Sequence, residues 1–403
     1  MKNNKQTYTI ILCAVLLTCF SSCRKEKIKP DQAETFIKYY GKGGTQTAGN
    51  VVVTSDGGYI LVGTSDSYSN SKDILVVKTD KYGNEVWSKV LGGAGDDAGN
   101  FVQLTSDGGY ILTGAKAEAA SLTNTDEYIV KLSADGTIVW DKTYGVAGKN
   151  ESGNKIINTL DGGYISVGTT TAFTGAVSGV YLIKTNTSGD TLWTAKYGNN
   201  NVTNIGTGIQ QISDVSYLTS ASTIDATGTA SDMLVTTGRL QNGTAYNANS
   251  NIRKQTVDAD IIDAKDIILN STGDKYILGN TVQGDMYIAD VSATEQTIFY
   301  KAFGTTAQDQ VSGFSRTFDG GFIIAGSTMI NGNWDVLVMR TDANATVLWT
   351  KTFGDTGNDY GTSVVQTSDG TYVVSASIQF GGNGTGSNEV MSLIHINANG
   401  ELK

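Results

Sequence analysis

The sequence predicts an all-β fold: a seven-bladed β-propeller of four-stranded antiparallel blades, with the ring closed by an N-terminal strand that completes the last blade. Three observations predict it. The 403 residues hold 49 glycines, a single proline and only 17% charged side chains, and Thr, Val, Ile and Tyr are plentiful, a composition of strands and turns. One pattern of residues recurs with a period of about fifty. Each period contains short β runs separated by glycine-bearing turns.

The hairpin signature Asp-Gly-Gly-aromatic stands at Asp56 to Tyr59, Asp107 to Tyr110, Asp161 to Tyr164 and Asp319 to Phe322, with a relaxed copy at Asp369, Gly370, Thr371 and Tyr372. A threonine precedes each by two residues: Thr54, Thr105, Thr159, Thr317 and Thr367. Further on come Trp87, Trp140, Trp193 and Trp349, each followed after five residues by Gly92, Gly145, Gly198 or Gly354. Two degenerate copies fill the gap, one with Asp214, Tyr217 and Tyr246, the other with Gly273, Tyr276, Phe299 and Gly304. Seven units result.

Within the second unit the runs are Phe101 to Thr105, Tyr110 to Gly114, Glu127 to Leu132 and Thr137 to Tyr144. Asp-Gly and Gly-Gly supply the positive φ that a tight hairpin needs, so the first two runs and the last two pair locally. Four antiparallel strands repeated seven times make a propeller. The final unit ends at Asn399 to Lys403, before its tryptophan run, and Phe36, Lys38, Tyr40 and Gly41 reproduce the spacing of Trp140, Lys142, Tyr144 and Gly145. The N-terminal segment is therefore expected to finish the seventh blade and remove the open sheet edges. The propeller spans 34–403, and blade boundaries between Asp214 and Phe299 are left open.

Lys2 and Lys5 precede an apolar run from Tyr8 to Phe20 that ends in Ser21, Ser22 and Cys23. This pattern is that of a signal peptide, residues 1–22. The small residues before the cysteine resemble the lipobox of bacterial lipoproteins, although Phe20 stands where that family has leucine. The resemblance implies a lipid anchor on Cys23 and a place in the cell envelope, at the outer membrane. Cys23 would be the one cysteine left after cleavage, so no disulfide is expected. Residues 23–33, with Pro30, read as a tether. The run Arg24, Lys25, Glu26, Lys27 lacks a strongly acidic stretch, which leaves surface against periplasmic orientation open. No second apolar stretch approaches the length of a membrane span.

The repeats resemble the kelch-related and Asp-Gly-Gly-Tyr propeller repeats of secreted and lipid-anchored proteins of Gram-negative bacteria. That resemblance covers 34–403 and implies fold, not activity, because propellers include glycosidases, lyases, quinoprotein dehydrogenases, lectins and scaffolds.

Composition narrows the chemistry. A formal charge of −10 and a pI near 4.7 argue against nucleic acid as a partner. One histidine and three cysteines remove most zinc sites and His-centred triads. His395 takes the strand position of Lys78, Lys131, Lys184 and Arg340 and is expected at a surface or edge. The four repeat tryptophans are expected in blade-to-blade packing because they recur in register. No calcium loop and no phosphate-binding loop has the required spacing. Neither a cofactor nor a metal is expected.

Four-strand order brings the inter-blade connections and the loops between second and third strands to one face, where binding residues concentrate. Trp334 is the aromatic that breaks the repeat register, and Tyr68, Phe173 and Phe380 lie on similar loops. Asp97, Asp309 and Asp359 add acidity from the connections. The expected function is a non-catalytic, lipid-anchored, monomeric propeller presenting this face to a protein or polysaccharide ligand. The alternative is a carbohydrate-active hydrolase or lyase using the acidic loop residues.

Overall fold

The computed structural model describes residues 35–402, apart from 119–120, 175–176, 199–200, 215, 225–229, 240–251, 255–260, 282, 295 and 382–387. The expected signal peptide, Cys23 and the tether lie outside the described residues, as does Tyr246. The described strands form seven four-stranded antiparallel sheets. In six of them every strand has at least five residues, whereas in the fourth the outer strand Ile252–Lys254 has three. The fold is an all-β propeller of four-stranded antiparallel blades, as the repeat arithmetic predicts. Among the described residues no helix is long and apolar enough to cross a membrane.

The inner strands, from first to seventh unit, are Gln46–Val53, Ala98–Leu104, Glu151–Asn158, Thr203–Ser213, Ile261–Leu269, Asp309–Arg316 and Tyr360–Gln366. Each packs beside the inner strand of the next unit, and Gln46–Val53 packs beside Tyr360–Gln366. The segment Phe36–Tyr40 pairs antiparallel with Glu389–Ile396, with Phe36 opposite His395 and Tyr40 opposite Met391.

Burial follows position in the sheet. The third strand of the first unit, Asp73–Thr79, is buried throughout because neighbouring sheets cover both its faces, while the outer strand Glu85–Leu91 is exposed or half-buried until its last residue, Leu91, which is buried. Trp87, Trp140, Trp193 and Trp349 lie 5.8–6.0 Å from Tyr110, Tyr164, Tyr217 and Tyr372, the hairpin tyrosines of the following units. The expected blade-to-blade role of these tryptophans is what this geometry describes.

The Asp-Gly-Gly turns are fastened by a repeated clasp. In the second unit Gly108 takes φ +80°, a conformation a side chain would strain. Asp107 accepts hydrogen bonds from the Thr105 hydroxyl at 2.5 Å and the Gly109 amide at 3.1 Å, and pairs with Lys131 at 2.9 Å. The Thr105 hydroxyl and the Lys131 ammonium hold the Asp107 carboxyl down at about 2. Lys78 with Asp56, Lys184 with Asp161 and Arg340 with Asp319 repeat the pair. His395 corrects the expectation of a surface residue. It is 5% exposed, 2.6 Å from the Thr371 hydroxyl and packed edge-on to Phe36 at 5.1 Å. It is the clasp residue of the last sheet.

All seven inner strands bulge at one level, for example between Gly99 and Phe101, Gly153 and Lys155, and Ala264 and Asp266. A bulge turns consecutive side chains toward the same side. That single irregularity decides what lines the centre of the molecule.

Candidate functional site

The acidic loop residues are not an open face. Asp97, Asp309 and Asp359 are 1%, 2% and 0% exposed, and each carboxylate is engaged. Asp97 accepts the Ala117 amide at 2.8 Å and the Gly93 amide; Asp359 accepts Gln379 at 2.7 Å and Asp355 at 3.1 Å. Asp309 accepts the Thr305 amide at 2.5 Å and its hydroxyl at 3.2 Å. Their own amides donate to the carbonyls of Lys72, Gly284 and Trp334. Each aspartate thus ties the turn before its strand to the loops beside it. Burial raises the carboxyls of Asp97 and Asp359, which still accept two amides each. Glu151 does the same work in the third unit, where it meets Val146 and Thr170.

The four aromatic candidates are scattered. Phe380 is 50% exposed and sits edge-on to Tyr39 at 4.9 Å. Tyr68 is half-buried with the Lys42 ammonium 5.3 Å from its ring. Phe173 covers Gly179, where a Cβ would come within 2.5 Å of its ring. Trp334 is half-buried near Tyr360, and its backbone is held by Asn358 and Asp359.

Of the predicted residues, Trp334 meets the backbone of Asp359 and shares with Asp309 a recess of about 560 Å³ between the fifth and sixth units. Its wall also holds Asp263, Lys265, Asn280, Gln308 and Gln310. Asp263 accepts the backbone and side-chain amides of Asn280 at 2.9 and 3.1 Å and pairs with Lys265 at 2.9 Å. Gln308 and Gln310 are exposed. The recess offers a flat ring, amides and one ammonium.

A second cavity, of about 740 Å³, is lined by all seven inner strands, and Lys265 and Ser312 line both. Three residues before the hairpin threonine, or its counterpart, stand Val51, Val102, Ile156, Ile209, Ile267, Phe314 and Val364, all apolar and at most 6% exposed. One residue earlier stand Asn50, Phe101, Lys155, Gly208, Asp266, Gly313 and Ser363, and all but Gly208 line the cavity. Lys155 and Asp266 meet there at 2.5 Å, with side chains 12% and 14% exposed. Sequence reasoning missed Lys155, Asp263, Lys265 and Asp266. The signal was available: unit-by-unit alignment shows a charge on an inner strand where other units have Asn, Phe, Gly or Ser. Among the described residues no three His, Cys, Asp or Glu side chains are grouped to hold a metal ion.

No family model matches the chain, and no curated protein matches it. Among solved structures the chain is similar to YCF48 bound to D1 peptide, with 9% identity and a TM-score of 0.51 over 91% of this chain and 96% of that one. It is also similar to the polysaccharide lyase Uly1, with 11% identity and a TM-score of 0.53 over 89% of this chain and 91% of that one. At such identities the likeness shows the propeller fold alone.

Proposed function

We propose that this chain is a lipid-anchored, non-catalytic seven-bladed propeller of the cell envelope that binds a glycan in the Trp334 recess. The observation that carries this reading is the recess itself. A half-buried indole stands beside exposed Gln308 and Gln310 and the Lys265 ammonium. A sugar ring presents an apolar C–H face to an aromatic ring and paired hydroxyls to planar amides, so this combination fits its two chemistries. The pairing of Phe36–Tyr40 with Glu389–Ile396 supports a ring of seven closed through the N-terminal strand, and the Cys23 pattern supports the anchor.

The test is a thermal-shift series on the full chain against a polysaccharide panel, with product analysis. A ligand of the native state raises the transition according to its concentration over its affinity. The expected result is a shift with at least one glycan, lost in Trp334→Ala, with no product formed. Products would make the chain an enzyme and revive the alternative reading. A silent panel would sink glycan binding and favour a protein ligand. Cys23→Ser should release the chain from membranes, and retention would overturn the anchor.

A further inference from the structure

We infer that the central cavity is a second binding site, separate from the Trp334 recess, and that it takes a small zwitterion, a free α-amino acid, between Lys155 and Asp266. Most polar side chains on the inner strands lace one unit to the next. Asn50 bonds both backbone groups of Val102, Asn154 reaches the Gly206 carbonyl and Thr207 reaches the Ala264 carbonyl. Lys155 and Asp266 do something else. Their ion pair runs from the third unit to the fifth, past the fourth.

The gap it crosses is made by Gly208, where a Cβ would fall 2.8 Å from Asp266 Oδ1. The pair therefore depends on a glycine in the unit it bypasses. Both charges border a space of about 740 Å³, several times the size of an amino acid. Among the described residues its one other charged lining residue, Lys265, is paired with Asp263 at 2.9 Å, and the remaining wall is uncharged, as at Ser312, Gly313 and Ser363.

The pair also selects the chemistry of its ligand. An ion carrying one charge would take one partner and leave the other half-buried and uncompensated, which is costly. A zwitterion replaces both halves at once, with its carboxylate on Lys155 and its ammonium on Asp266. Each side chain has a second support while partners exchange. The Phe101 ring lies 5.6 Å from the Lys155 ammonium, and the Ile267 amide donates to Asp266 Oδ1 at 2.8 Å. A net-neutral ligand is also not repelled by the −10 charge of the chain.

Isothermal titration of the full chain with the twenty common L-amino acids, and with acetate and methylammonium as half-ligands, tests this. At least one amino acid should bind with a submillimolar Kd, and neither half-ligand should. Asp266→Asn, which keeps size and the Ile267 bond, should weaken binding at least tenfold, as should Lys155→Met combined with Asp266→Leu. Trp334→Ala should leave it unchanged, which separates this site from the glycan recess. Three results would overturn the inference: no heat from any amino acid, a half-ligand that binds as tightly, or binding that survives Asp266→Asn. The first would leave the pair as a strut across the irregular fourth unit.

Discussion

Two neighbouring layers on the same inner strands behave in opposite ways. Val102, Ile156 and Ile267 are fully buried, and each repeats the apolar character of its counterparts. Phe101, Lys155 and Asp266, one residue earlier, share neither size nor charge. The backbone treats both layers alike, since every inner strand bulges at this level. Packing between units demands one kind of residue at the first layer, whereas the second, six of whose seven residues line a cavity, meets its neighbours by individual contacts such as Asn50 with Val102 and requires no common residue type. Repetition in this molecule therefore marks structure, and departures from it mark candidate function.

The contrast breaks first at its apolar side. Ile156→Ala should cost about 4 kcal/mol by the removal of fully buried methyl groups between two sheets, read from urea unfolding. Ser363→Ala in the cavity layer loses only the long hydrogen bond from the Val51 amide, at 3.4 Å, and should cost no more than about 1 kcal/mol. Equal losses would mean that the two layers are not different in kind.

Glu127 sharpens the contrast, because it occupies the position of Ile74, Val180, Met286 and Val336 in a layer otherwise apolar. It is fully buried with Thr113 as a partner at 3.0 Å, and burial pushes its carboxyl up to about 7. The folded chain therefore holds this proton more tightly than the unfolded chain. Stability should fall as pH rises from the ordinary carboxylate range to about 7 and level off above. Glu127→Gln should be more stable than the parent by roughly 3 kcal/mol at pH 8 and nearly equal at pH 4, measured as urea midpoints. No difference at pH 8 would show that the buried acid is relieved by something else.

Gly208→Ala tests the cavity layer from the fourth unit. Its Cβ would meet Ser220 Oγ at 2.6 Å, Asp266 Oδ1 at 2.8 Å and the Ile267 amide at 3.0 Å. The last is backbone, so relief requires the strand to shift, at a cost of about 2 kcal/mol. A thermal transition unchanged by the substitution would mean that Asp266 has room to move, and that the glycine is not what lets the ion pair pass.

Much of the fold was legible because the repeat motifs are themselves the fastening parts. Asp-Gly-Gly supplies the turn and the clasp, and the tryptophan supplies the contact with the next hairpin tyrosine. The site was less legible, for two physical reasons. Asp97, Asp309 and Asp359 look free in sequence because connections carry binding groups in many folds; here their oxygens satisfy the amides of tight turns. His395 looks like a lone histidine, yet one-for-one replacement of a buried lysine puts it inside. Lys155 and Asp266 are 111 positions apart, and only the curvature that brings the third and fifth units together makes them a pair.

The clasp itself gives the smallest and most diagnostic effect. Lys131 is buried, with a side chain 5% exposed, but the Asp107 carboxylate it holds is 64% exposed. Removing the cation therefore leaves an anion that water can solvate, so Lys131→Met should cost only about 1 kcal/mol. The larger signal is in titration. Asp107 is held at about 2 by Thr105 and Lys131, so the clasp stabilises the fold above the ordinary aspartate range and loses that contribution as pH falls toward about 2. In Lys131→Met the Asp107 carboxyl should titrate closer to the ordinary range, followed by NMR of its side-chain carbon. An unmoved titration would mean that the threonine and the turn amide alone hold the hairpin, and that the repeated lysine serves packing through its aliphatic stem rather than through its charge.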